Sequence, residues 1–351
     1  MLLGNIGMNA DSMPNTRAAR ICGTRYYDSR ELSVAAVTVL FLAVFTVWHQ
    51  MEFMGLGWYE TVQWERTQEV MRGESGTPWQ YRLFTESIVT GTVRLCEYLG
   101  MERPVAVAFV AVRLVQNTLA FSLALVFFGL LGIPLRNALL GIGLLGWGMG
   151  HALYDGDLTF NTYTDMSIFL TAGSLIITKR FYWLIPLMCI APFNRETSGC
   201  IPFMLLFSQL RWEKGRPVLD RQVLLIFLIT LATWASIIAG LRLVYGVRPY
   251  IVPTAGVSPI LPLLTYNLTW WRTWVFLFAT MGILPLLALG SWKAWPQDLK
   301  RFFFAVAPVW FPLHFALAHA PETRLFLVPH VLLFVPGALL GLGYFVAERR
   351  S

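Results

Sequence analysis

Charge is scarce in this chain. Asp, Glu, Lys and Arg make up 13% of its 351 residues, against roughly 25% in soluble domains. That shortage excludes an ordinary water-soluble globule. Cysteine is scarcer still: Cys22, Cys96, Cys189 and Cys200 stand in no metal-binding or redox spacing, so neither a disulfide scaffold nor a thiolate zinc site is expected. Walker A, His-Glu-x-x-His and Gly-x-Ser-x-Gly patterns are also missing, which removes three common enzyme classes. What is present is apolar: 56% hydrophobic and 15% aromatic residues with mean hydropathy +0.58. The chain is an integral membrane protein. Its net charge of +7 and pI near 9.4 do not indicate a nucleic-acid partner. Most Lys and Arg occupy short loops between apolar runs, where they set orientation and meet anionic membrane lipids.

Apolar stretches near the length of a crossing, about 20 residues, predict helices at 33–49, 104–132, 137–153, 166–178, 181–193, 198–210, 222–245, 272–291, 302–319 and 325–346. The expected fold is all-α, a polytopic bundle of about ten spans, with those between 166 and 210 short, half-length or re-entrant. Residues 1–32 form a polar tail without a cleavage signal, so the first run reads as a retained signal anchor. Residues 33–346 form one transmembrane domain, and 347–351 a cytoplasmic end. With the N-terminus in the cytoplasm, alternate loops carry Arg136, Lys179-Arg180, Arg211/Lys214/Arg216/Arg221 and Lys293/Lys300/Arg301 inside, as the positive-inside tendency requires. The outer loops at 50–103 and 246–271 are long and aromatic. Within the first, 83–99 has the spacing of an amphipathic interfacial helix.

Four polar clusters interrupt the apolar chain, and this topology puts all of them on the outer side: Trp79-Gln80-Tyr81-Arg82, Asp155-Gly156-Asp157 with Asp165, Asn194-Arg195-Glu196-Thr197, and Pro321-Glu322-Thr323-Arg324. Ionisable groups at a membrane boundary are expensive, so their convergence marks a working site. Asp155 and Asp157 can hold a divalent cation such as Mg or Mn against a phosphate, or simply end a helix in water. Asp165 fits an N-cap. Arg195 can clamp phosphate oxygens through its planar fork, with Glu196 as base or orienter. An internal ion pair at a helix turn is the plainer reading. Glu322 and Arg324 repeat that chemistry, with His314, His319 and His330 nearby. Arg82 lies among aromatic rings and suits a sugar or phosphate, or snorkels to the surface. Arg113 and Asn117 share a helix face inside a span, and Arg113 needs a bundle-facing partner such as Glu196 or Asp157.

In this layout the chain resembles the GT-C superfamily, the polytopic glycosyltransferases that use polyprenyl-phosphate-linked sugars. A cytoplasmic N-terminus, one span, a long outer loop with amphipathic helices and then many spans with charged outer ends carry the likeness. Gln80-Tyr81-Arg82, Asn194-Arg195-Glu196-Thr197 and Glu322-Thr323-Arg324 are similar to motifs in bacterial membrane proteins of that type. One departure is plain: the family's acidic pair in the first outer loop is replaced here by single acids, Glu52, Glu60 and Glu65. The resemblance implies a bacterial inner-membrane enzyme taking a sugar from a lipid-linked donor to an outer-face acceptor. Glu60, Glu52, Asp157 or Glu196 would act as base. Arg82, Arg195 and Arg324 would stabilise the departing phosphate, with Asn194, Glu322, Arg113, Tyr81 and Trp79 completing the substrate site. A transporter or flippase of a lipid-linked or anionic substrate, and a non-catalytic subunit stapled by its Glu–Arg pairs, are the competing readings.

Overall fold

Apolar runs of this length must satisfy their backbone internally, and in lipid that means helices. The computed structural model describes residues 29–153, 160–213, 216–250 and 257–348, and these form α-helices with a single two-stranded hairpin, Arg211–Glu213 against Arg216–Val218. The chain opens with α1 (Ser29–Met54). The long first loop then folds into α2 (Leu56–Trp58), α3 (Trp64–Arg72) and α4 (Leu83–Tyr98). The sequence expectation for 83–99 is met by α4, whose buried positions Thr85, Glu86, Val89, Val93 and Cys96 follow the three-to-four spacing of one helix face.

Next come α5 (Pro104–Leu130), begun by a proline in its first turn, α6 (Leu135–His151) and α7 (Phe160–Ile177). α8 (Leu184–Asn194) and α9 (Cys200–Gln209) flank a 3₁₀ turn at Glu196–Gly199. At 1.5 Å per residue each is about half the length of a ~30 Å hydrocarbon core. They therefore deliver the polar turn into the protein interior. α10 (Arg221–Tyr245) is capped by the Asp220 carboxylate, which accepts from the Gln222 N–H at 2.7 Å. α11 (Leu261–Thr269) leads to α12 (Trp271–Met281) and α13 (Leu284–Gly290), which bend by 72° at Gly282, a residue with φ +58°. α14 (Gln297–Leu317) precedes α15 (Leu327–Pro329) and α16 (Val335–Glu348), and a π turn at His330–Phe334 joins the last two.

Among the described residues, four segments are long and apolar enough to cross a membrane: Ser29–Met54, Pro104–Leu130, Arg221–Tyr245 and Thr323–Gly343. The bent pair α12–α13 makes five. The expected count of about ten is thus met only in part. The remaining expected runs are helical but short, as in α8 and α9, or loaded with polar groups, as in α7 with Asn161 and Asp165. The spans differ in their surroundings. Thr323–Gly343 is 89% buried within the bundle, while Ser29–Met54 is 22% and Arg221–Tyr245 17% buried, so the latter two turn apolar faces to the outside of the bundle.

Close packing rests on small residues. Gly141-Ile-Gly143-Leu-Leu-Gly146 spells the spacing of a dinucleotide-binding loop, yet it lies wholly inside α6 rather than between strand and helix. There a Cβ on Gly141 would come within 2.8 Å of Leu339 and Phe128. The two long loops are pinned together by hydrogen bonds. The Thr77 N–H donates to the Pro249 carbonyl at 2.9 Å, the Tyr81 hydroxyl to Gly246 at 2.7 Å, and the Arg248 guanidinium to Gly73 at 2.6 Å.

Candidate functional site

A cavity of about 460 Å³ opens where the C-terminal ends of α10 and α14, the N-terminal end of α9 and the first loop meet. Residues from three of the four polar clusters line it: Trp79 and Arg82, Arg195 with Glu196 and Thr197, and Glu322 with Arg324. The lining also includes the apolar side chains Phe203, Trp234, Val309, Leu313 and Leu317.

Arg195 adopts an extended backbone (φ −164°, ψ 144°) between α8 and the 3₁₀ turn, which sends its side chain back into the bundle, where it is 1% exposed. Its Nη1 lies 3.1 Å from Asp165 Oδ2, and Asn194 Nδ2 donates to the other oxygen of Asp165 at 2.5 Å. Asp165 is therefore a buried counter-ion rather than the N-cap expected from sequence. It sits one and a half turns into α7, too far from the end to meet the free N–H groups. Arg82 Nη2 donates to Glu196 at 3.4 Å, and Arg324 donates to Glu322. The Trp234 indole N–H donates to the Glu196 backbone carbonyl at 3.0 Å and closes over Gly199, where any Cβ would meet the ring at 2.7 Å.

Trp79 lines the cavity. Its ring is approached by the guanidinium carbons of Arg66 at 4.5 Å, Arg82 at 4.8 Å and Arg324 at 5.6 Å. Such contacts let the ring gather arginines at the cavity. Behind it, Glu86 accepts from the Thr67 hydroxyl at 2.7 Å. Burial pushes the Glu86 carboxyl up, against the pull of nearby Arg66 and the Thr67 bond. Burial also lowers Arg66, to about 10, which leaves it charged at neutral pH.

The other expected residues lie elsewhere. Tyr81 and Gln80 are staples: Tyr81 bonds Gly246, and Gln80 bridges Ser75 N–H and the Val70 carbonyl. Glu52 is exposed and does not line the cavity. Glu60 is also outside it, paired with Arg103, whose hydrogen bonds hold its carboxyl below the usual range. Arg113 lies over the rings of Phe160 at 4.5 Å and Tyr163 at 4.4 Å, while Glu196, its expected partner, faces Arg82. Asn117 donates to Thr46 at 2.9 Å. Asp155 and Asp157, the expected cation ligands, fall outside the described residues. Among those described, no three His, Cys, Asp or Glu side chains group to hold a metal.

Sequence reasoning passed over Arg242, Asp165 as a pairing partner, and Glu86. Each left a signal. Arg242 is a lone basic residue at the end of a span assigned to the outer side, against the positive-inside trend. Glu86 stands on the apolar stripe of α4. On the lining, Arg82, Arg195, Arg242 and Arg324 face Glu196 and Glu322, with Asp165 behind Arg195, so the cavity keeps a positive excess. A lining of this composition can take an anion that carries an apolar portion. Compared with protein-family models, with curated proteins and with solved structures, the chain matches none.

Proposed function

We propose that the protein is a membrane glycosyltransferase that moves a sugar from a lipid-phosphate donor to an acceptor on the non-cytosolic face. The observation that carries this reading is the cavity itself, whose lining combines four arginines with apolar side chains. The phosphate would lie among Arg82, Arg195, Arg242 and Arg324, and the lipid tail along Val309, Leu313 and Phe203, which are partly exposed on the bundle surface. A phosphodiester gains negative charge as it departs as a monoester. Fixed guanidiniums stabilise that change more than the ground state. No soluble nucleotide donor is required, which suits a site facing away from the cytosol. In this reading the shorter helices α6 to α9 and α14 complete a GT-C-like bundle of about ten passes in a bacterial inner membrane, with both termini cytoplasmic.

Reconstituted protein should release farnesyl phosphate from a farnesyl-phosphoryl sugar. Arg82→Ala and Arg242→Ala should each lower that release by at least ~10-fold with expression intact. Undiminished release in both variants would remove this function.

A further inference from the structure

The carboxylates that line the cavity are engaged: Glu196 with Arg82, and Glu322 with Arg324. Each is held by a guanidinium and faces it rather than the open chamber. Glu52 and Glu60 are elsewhere. His314 is in a different position. It projects from the last turn of α14, lines the same cavity, and is 4% exposed. Its Nδ1 lies 2.7 Å from the Trp310 carbonyl oxygen. A carbonyl only accepts, so the proton sits on Nδ1 and the lone pair on Nε2. The ring stacks on Trp310 with centroids 4.9 Å apart and is flanked by Phe326 at 6.0 Å, which fixes its direction. Nε2 has no hydrogen-bond partner among the described residues. Arg82 and Arg195 line the same cavity, so the imidazole nitrogen and the phosphate end share one chamber.

We propose that His314 is the proton acceptor of the transfer; this rests on the function proposed above. In the step, Nε2 takes the proton from the acceptor O–H. That oxygen forms a bond to the anomeric carbon of the sugar. The bond from that carbon to the phosphate oxygen breaks, and its electron pair leaves with the lipid phosphate. One positive charge arrives on the imidazole as one negative charge is added to the phosphate, so the arginine-rich chamber is not left with a larger excess. The imidazolium then returns its proton to water. His319, the other histidine on the lining, has its ring between those of Tyr266 at 6.0 Å and Trp270 at 5.7 Å and is assigned to the aromatic wall.

The test uses full-length protein in lipid nanodiscs with farnesyl-phosphoryl glucose, mannose, galactose and arabinose, reading release of farnesyl phosphate by mass spectrometry. For the donor that the wild type turns over fastest, His314→Asn, which keeps a donor for the Trp310 carbonyl, and His314→Gln should each lower kcat by ~100-fold or more. Affinity for farnesyl phosphate should be unchanged, because a lost base removes proton transfer and not phosphate contacts. His49→Asn, on α1 and outside the cavity lining, should keep its kcat. Turnover at the wild-type rate in either His314 variant overturns the assignment. If the wild type turns over none of the four donors, the transfer reading itself falls and takes this one with it.

Discussion

At the scale of single residues, the most consequential contact is between Arg195 and Asp165, both at most 1% exposed. Removing two charges from water costs several kcal/mol each, and their attraction repays this only with further hydrogen bonds. Here Asn194 supplies one to Asp165 and Thr162 accepts one from Arg195 at 3.4 Å. Arg195→Ala would strand a buried carboxylate and should destabilise the protein by about 3–5 kcal/mol. The double variant Arg195→Met/Asp165→Asn keeps the Asn194 contact without either charge and should recover most of that loss. Thermal unfolding in detergent compares the two, and donor turnover separates fold from function: the double variant should be folded yet inactive. Equal instability in both would mean that the pair is not what the site's architecture depends on.

At the scale of elements, much was legible. The amphipathic α4, the half-length α8 and α9, and the polar turn between them follow from spacing and run length in one sequence. The pairing of Asp165 did not, because which carboxylate meets Arg195 depends on how α7 packs against α8, and packing leaves no local pattern. The arginines around Trp79 were not legible for a related reason: an aromatic in a loop says nothing of three arginines arriving from separate segments. The 3₁₀ turn also depends on a glycine that sequence gave no cause to notice. Gly199→Ala puts a methyl 2.7 Å from the Trp234 ring, which must move and loosen its bond to Glu196. A cost of about 1–3 kcal/mol is expected, together with weaker farnesyl phosphate binding. Full stability and unchanged binding would show that the turn tolerates displacement of Trp234.

At the scale of the whole molecule, the central helix and the peripheral ones divide the work. Thr323–Gly343, buried on nearly all sides, carries Arg324 at the end that meets the cavity, and the first loop brings Arg82 and Trp79 over it. The second loop fastens that cover through Gly246, Arg248 and Pro249. Charge and apolar surface therefore meet in one chamber, with neither on its own accounting for its shape. The consequence is a demand on ligands: affinity should need both a phosphate and a chain. Farnesyl phosphate should raise the unfolding temperature, whereas inorganic phosphate and farnesol at the same concentration should each leave it nearly unchanged, since a ligand stabilises only in proportion to its affinity for the native state. Raising salt should weaken the farnesyl phosphate effect less than it would at an exposed cationic patch, because Arg82, Arg195 and Arg324 are buried and buried charges are screened little. Stabilisation by farnesol equal to that by farnesyl phosphate would reduce the arginines to structural staples. Equal stabilisation by inorganic phosphate would instead deny the apolar wall a part in binding.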